Sequence, residues 1–246
     1  MKITLVLVTF LIALSSQAKT LWQADFETGD TSQWHWIANP EATNASTECV
    51  FDGKYAGKIL LSGDEKFLWN GRADLNRSEF HYTPEKGSTH EGKETFYAFS
   101  FYLPDAFTLE GRHELGYWES DQTWQQLMRF NIQGEDFSFK ASAQEKPFWN
   151  SIKGAEAKKW HKVAMHILWS NDAKKGFAQI WLDGKDMGKN HFQTLLTKNA
   201  DMFNQIGILR NQQKKIETIY IDKVFATDNL TELLEKDAYL IGKTCL

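Results

Sequence analysis

Beyond residue 20 the chain alternates apolar and polar side chains with a period of two, in short runs separated by turn residues. That period belongs to strands with one buried face. Strands are expected over Leu21–Glu27, Glu48–Phe51, Lys58–Ser62, Asn76–Tyr82, Trp124–Gln133, Asp136–Gln144, Trp160–Ser170, Phe177–Leu182, Lys185–Gly188, Gln205–Arg210 and Glu217–Ala226, and Trp34–Trp36 is a short aromatic segment. Asp52-Gly53 and Asp183-Gly184 are hairpin signals. Thr95–Leu103 is aromatic on both faces and should be central and covered on both sides, ending at Pro104-Asp105. Thr108–Gln122 carries Gly111, Gly116, His113 and several acids and reads as a long loop. Asp228–Asp237 is the one expected helix, with Asp228 near its N-cap. A dozen strands without a long helix give an all-β jelly-roll sandwich of two antiparallel sheets, one presenting a concave polar face.

Three stretches place chemistry on a polar face. In Asn76–Tyr82, Arg77, Glu79 and His81 share one side and Phe80 and Tyr82 the other. A sheet with its core on one side needs no such row of ionisable groups on the other. It is a solvated face with an ion pair or the wall of a cleft for a charged ligand. In Trp124–Gln133, Gln125 and Arg129 share a face, with Gln126 on the side of Met128 and Phe130. In Asp136–Gln144, Lys140 lies opposite the Phe137–Phe139 face.

The chain opens with Lys2, an apolar run over Ile3–Leu14 and small residues at Ser16 and Ala18. This reads as a signal peptide over residues 1–18, leaving 19–246 as one domain and implying a secreted or periplasmic protein. The apolar run is short for a membrane span, so no membrane association is expected. The formal net charge is -4 with no basic stripe, which argues against nucleic acid. Cys49 and Cys245 suggest a disulfide closing almost the whole domain, an entropic gain of about 4–5 kcal/mol in the loop-closure picture.

There is no Gly-x-Ser-x-Gly elbow, no His-Glu-x-x-His and no metal-type cysteine spacing. Glu119 and Asp121 are the nearest approach to a sandwich-glucanase acid triplet, with Trp124 in the third acid's place. Elimination on a uronate needs a group that neutralises the carboxylate, a base and an acid. Arg, Gln, Lys and His on the polar faces meet those needs.

Four places carry a resemblance to the heparin lyase I-like polysaccharide lyases, a jelly-roll (concanavalin A-like) family that includes glucuronan lyases. They are N-R-S-E-F at Asn76–Phe80, F-S-F-Y-L-P-D-A-F at Phe99–Phe107, the W-H-K-V to Q-I-W-L-D-G hairpin over Trp160–Gly184, and I-G-I-L-R at Ile206–Arg210 with I-Y-I-D-K-V at Ile219–Val224. The resemblance implies β-elimination on an acidic polysaccharide. Arg77, Gln126 and Arg129 would bind or neutralise the carboxylate, with His81 or Tyr220 as base or acid. Glu79, Gln125, Lys140, Arg210 and His113 would contact substrate. The strand Ile206–Arg210 has Leu209 where the family has Tyr, which is why Tyr220 enters as a replacement. No cofactor is expected beyond a structural Ca²⁺, and the protein is expected to be a monomer. Two alternatives remain: a glycoside hydrolase using Glu119 and Asp121, and a carbohydrate-binding domain without catalysis.

Overall fold

The computed structural model describes residues 20–64, 67–68, 76–235 and 245; the expected signal peptide lies outside them. Among the described residues are fifteen strands: β1 (Thr20–Ala24), β2 (Trp36–Ala38), β3 (Thr43–Ser46), β4 (Ala56–Leu61), β5 (Asn76–Tyr82), β6 (Glu94–Tyr102), β7 (His113–Ser120), β8 (Gln126–Gln133), β9 (Asp136–Ala141), β10 (Trp149–Ser151), β11 (Trp160–Leu168), β12 (Phe177–Leu182), β13 (Lys185–His191), β14 (Met202–Arg210) and β15 (Glu217–Thr227). They form two antiparallel sheets packed as a jelly-roll sandwich. One has the order β13-β12-β11-β6-β15-β4-β3, with β1 also on β15; the other has the order β10-β9-β8-β7-β14-β5-β2.

Alternation explains the sandwich. Tyr97, Phe99 and Phe101 of β6 point inward and meet Trp118, Phe130 and Phe137 of the facing sheet, with ring centroids 5.6, 6.0 and 5.4 Å apart. As expected from its two aromatic faces, β6 is central and covered on both sides. Its outer residues Phe96 and Ala98 pack with Leu233 of the helix α1 (Leu230–Glu235), and Tyr102 packs with Phe51, Trp160 and Tyr220. The helix is capped by Asn229 rather than Asp228: its Oδ1 accepts from the Thr231 and Glu232 amides at 2.7 and 3.2 Å. Cys49 and Cys245 form a disulfide, their Cα atoms 4.8 Å apart, anchoring the C-terminal end to the outer face of the β6 sheet.

Two expected elements differ. Glu48–Phe51 is not a strand; the edge strand is Thr43–Ser46, and the following loop is fixed by Asp222, which accepts from the Phe51 and Asp52 amides at 2.9 and 3.1 Å. Thr108–Gln122 is not a loop throughout, because β7 lies within it, between β8 and β14. Register shifts against both neighbours, one of them between Glu114 and Gly116, break its alternation, so Leu115 and Trp118 both reach the core three residues apart. That irregularity hides the strand from a period-two reading.

Gly207 leaves no room for a side chain between β14 and β5. A Cβ there would lie 2.2 Å from the Ser78 carbonyl oxygen and 2.8 Å from the Glu79 Cα. Gly207 is paired with Glu79 across the ladder. Gly207→Ala is therefore expected to push β5 outward beneath the polar row. Thermal unfolding should show a lower midpoint, and turnover should fall more than that loss explains.

Candidate active site

The outer face of the seven-stranded sheet, the one turned away from the sandwich core, collects the polar side chains. Pairing aligns Trp36, His81, Gln205, Tyr117, Arg129 and Lys140 in one row across β2, β5, β14, β7, β8 and β9. Neighbouring strands lie about 4.8 Å apart, so the row crosses six of the sheet's seven strands.

At the centre, Arg77 Nη1 lies 3.7 Å from Glu79 Oε2, and the Glu79 side chain is almost fully buried. Burial pushes the Glu79 carboxyl up to about 7 against the pull of the Arg77 charge and a hydrogen bond from Tyr117, with Glu114 and Glu119 adding to the rise. The Tyr117 hydroxyl is driven well above its ordinary range by burial and by the Glu79 charge, so it stays protonated. Gln205 donates through Nε2 to Glu119 Oε2. Burial carries the Glu119 carboxyl up to about 7, despite that hydrogen bond and the Arg77 charge. The sheet face thus holds two carboxyls poised near neutrality beside a guanidinium and a phenol. Such perturbed groups gathered on one surface mark functional sites more often than structural ones.

Toward β8 the face is organised by Glu114, which is buried. Arg112 Nε donates to Glu114 Oε1 at 2.6 Å, Arg129 Nε lies 3.1 Å from the same oxygen, and Gln126 Nε2 donates to Oε2 at 2.8 Å. Arg129 also donates to Ser142 at 3.0 Å. Gln126 therefore joins Arg129 on the polar face instead of lying with Met128 and Phe130; the register shift in the β7–β8 pairing turns it over. Lys140 ends the row, its Nζ donating to the Glu145 carbonyl at 2.9 Å. Gln125 is exposed just before β8.

The other end of the row is aromatic. His81 is buried, and burial followed by the Arg77 charge lowers its imidazole to about 3, so it is neutral near pH 7. Its ring stacks on Phe203 (centroids 6.1 Å, 15°) and meets Trp36 edge-on (4.3 Å, 84°).

Three residues expected at the site lie elsewhere. Tyr220 is in β15, on the outer face of the opposite sheet, where its hydroxyl donates to Glu48 at 2.5 Å. His113 and Arg210 turn inward at one end of the sandwich. His113 Nε2 lies 2.9 Å from Glu217 Oε2, and Arg210 Nη1 donates to the same oxygen at 2.6 Å. Burial alone would raise the Glu217 carboxyl, but hydrogen bonds from His113, the Thr108 amide and Arg210 hold it down at about 2. This ion cluster ties β7 and β14 to β15 and touches no part of the polar row. The sequence reading did not single out Tyr117, Gln205 or Glu114. Gln205 could have been found from its alternation with Ile206 and Ile208.

A polysaccharide lyase family model matches residues 26–225. The chain belongs to the polysaccharide lyase family. No curated protein matches its sequence. Among solved structures, an endo-β-1,4-glucuronan lyase from the fungus Trichoderma reesei matches with a TM-score of 0.67 at 16% identity, over 87% of this chain and 98% of that one. A GH131 β-glucanase catalytic domain from Podospora anserina matches with a TM-score of 0.60 at 17% identity, over 86% and 96%. The alginate lyase AlgAT5 of polysaccharide lyase family 7 gives 0.54 at 8%, over 77% and 83%. At these identities the matches establish the jelly-roll fold, and the family model establishes membership.

Proposed function

We propose that this chain is an exported lyase that cuts a uronate-containing polysaccharide by β-elimination on the outer face of the seven-stranded sheet. The observation that carries this reading is the cluster of Arg77, Glu79 and Tyr117 beside the Gln205–Glu119 pair. Arg77 would bind the uronate carboxylate and stabilise the charge that grows on it as C5 loses its proton. Glu119, partly exposed and held near neutrality, would take that proton as a carboxylate. Tyr117 would protonate the departing O4 and be recharged by the protonated Glu79 bonded to it. Protons then balance: one passes to Glu119, one leaves Glu79, and the ring gains a C4–C5 double bond. Arg129 and Gln126, fixed on Glu114, would contact the polymer further along the face.

One observation favours a second reading. Glu79 and Glu119 share the face that a retaining or inverting hydrolase would use, and a GH131 glucanase shares the fold. The two readings give different products, since hydrolysis leaves no double bond.

The elimination scheme requires Glu119 ionised and Glu79 protonated. As both carboxyls titrate near 7, kcat/KM should follow a narrow bell centred near neutrality, its limbs belonging to the coupled pair. Glu119→Gln should remove the acidic limb and lower kcat by about 10²–10⁴-fold. An unchanged profile in Glu119→Gln would exclude Glu119 as the base.

A further inference from the structure

At the β2 end of the polar row the lining changes character. Trp36, His81, Thr83, Asp121, Trp124 and Phe203 enclose a hollow of about 290 Å³. We propose that this hollow is a subsite for a neutral pyranose, so that the natural substrate is a heteropolymer in which uronates are joined to uncharged sugars. This inference rests on the lyase reading for the polymer's acidic part.

The first support is the aromatic lining. Trp36 is 42% and Trp124 62% exposed, an unusual display for indoles. They sit on either side of a continuous ladder. Trp36 meets His81 edge-on, His81 stacks on Phe203, and Phe203 meets Trp124 edge-on at 5.7 Å. Such faces take the axial C–H side of a pyranose ring while its equatorial hydroxyls stay at the rim.

The second support is the backbone. Trp124 has φ 54°, in the left-handed region that a bulky residue adopts only under strain. Its amide is fixed to the Ser120 carbonyl at 2.9 Å, and the Ser120 amide to the Gln125 carbonyl at 3.2 Å. The turn thus holds a large aromatic outward over the hollow.

The third support is charge. Asp121 is the one acidic side chain in the lining, its Oδ1 accepting from the Asp201 amide at 3.0 Å, while the His81 imidazole is neutral. A uronate placed there would meet a carboxylate and no cation; a neutral sugar would meet a hydrogen-bond acceptor. His81 lies four positions along β5 from Arg77, about 13 Å at strand rise. One polymer strand can therefore reach both sites, with its uronate at Arg77 and an uncharged unit at the tryptophans.

The test separates this proposal from the lyase reading by measuring binding without turnover. Calorimetric titration of the full chain with cellotetraose, xylotetraose and mannotetraose should show saturable binding of at least one. Its Kd should weaken at least tenfold in Trp124→Ala and Trp36→Ala and recover in Trp124→Phe. Tetraglucuronate should retain its affinity for Trp124→Ala within a factor of about two. Binding of a neutral tetrasaccharide that depends on Trp124 supports the subsite even if no polymer is cleaved. Failure of all three to bind the wild type, or equal binding to Trp124→Ala, overturns it even if a uronate homopolymer is cleaved. A loss of tetraglucuronate affinity in Trp124→Ala equal to the neutral loss would also overturn it, since the hollow would then be taking uronates.

Discussion

Arg77→Ala is expected to lower kcat/KM on the polymer by at least 10²–10³-fold, the usual effect of deleting one group aimed at developing charge. The thermal midpoint should move little. Glu79 is buried beside this guanidinium, but its carboxyl already titrates near 7 and can lose its charge by taking a proton once Arg77 is gone. The same change should shift the basic limb of the pH profile upward, because the cation that favours Glu79 ionisation has been removed. Arg77→Lys should recover only part of the activity, as an ammonium keeps the charge but not the planar two-point grip on a carboxylate. Steady-state kinetics with a chemical unfolding curve for each variant would separate the two effects. Retained activity in Arg77→Ala would remove it from the mechanism.

Arg210→Ala should do the reverse and damage the fold. It would leave Glu217, which is buried, with His113 and the Thr108 amide but no guanidinium at the end of the sandwich. Removing one partner of a buried pair costs about 3–5 kcal/mol. For a domain of this size that is a drop of roughly 6–20 °C in the melting midpoint. The cluster's acid sensitivity follows from the same geometry. Glu217 is held at about 2, below its unfolded value, so its contribution is present above the unfolded carboxylate range and is lost as pH falls toward 2. Glu79 and Asp222 have the opposite sign: both are raised to about 7, so the stability of their neutral forms is lost as pH rises from the carboxylate range to 7. Melting curves across pH should therefore peak on the acidic side of neutrality. Any activity surviving in folded Arg210→Ala at low temperature should be near normal, which distinguishes a structural role from a catalytic one.

These two arginines show what the sequence made legible. Strand periodicity placed Arg77, Glu79 and His81 on one face, and the structure has them there, because β5 runs without a bulge. The same parity separates Arg77 from Arg210, because Arg210 falls in step with the core residues Ile206 and Ile208. Both end up in regular strands, and Arg210 turns inward at the strand end, where a carboxylate from the opposite sheet waits for it. Tyr220 alternates as well as any residue in the chain, but alternation does not tell which sheet a strand joins. Tyr117 was hidden because the β7 bulge breaks the period and glycine at 116 suggested a loop. Its bond to Glu79 depends on a pairing of distant strands, which no local pattern carries. The sandwich class, the central position of β6 and the disulfide were all readable, since each follows from composition or local alternation.

Ultraviolet absorbance of the chain 19–246 mixed with glucuronan, alginate, heparin-type chains, ulvan and pectate distinguishes elimination from hydrolysis. Absorbance should rise with time for at least one polymer, from the conjugated unsaturated uronate left by elimination, and that rise should be lost in Arg77→Ala. New reducing ends without any rise in absorbance would contradict elimination and assign Glu79 and Glu119 to hydrolysis.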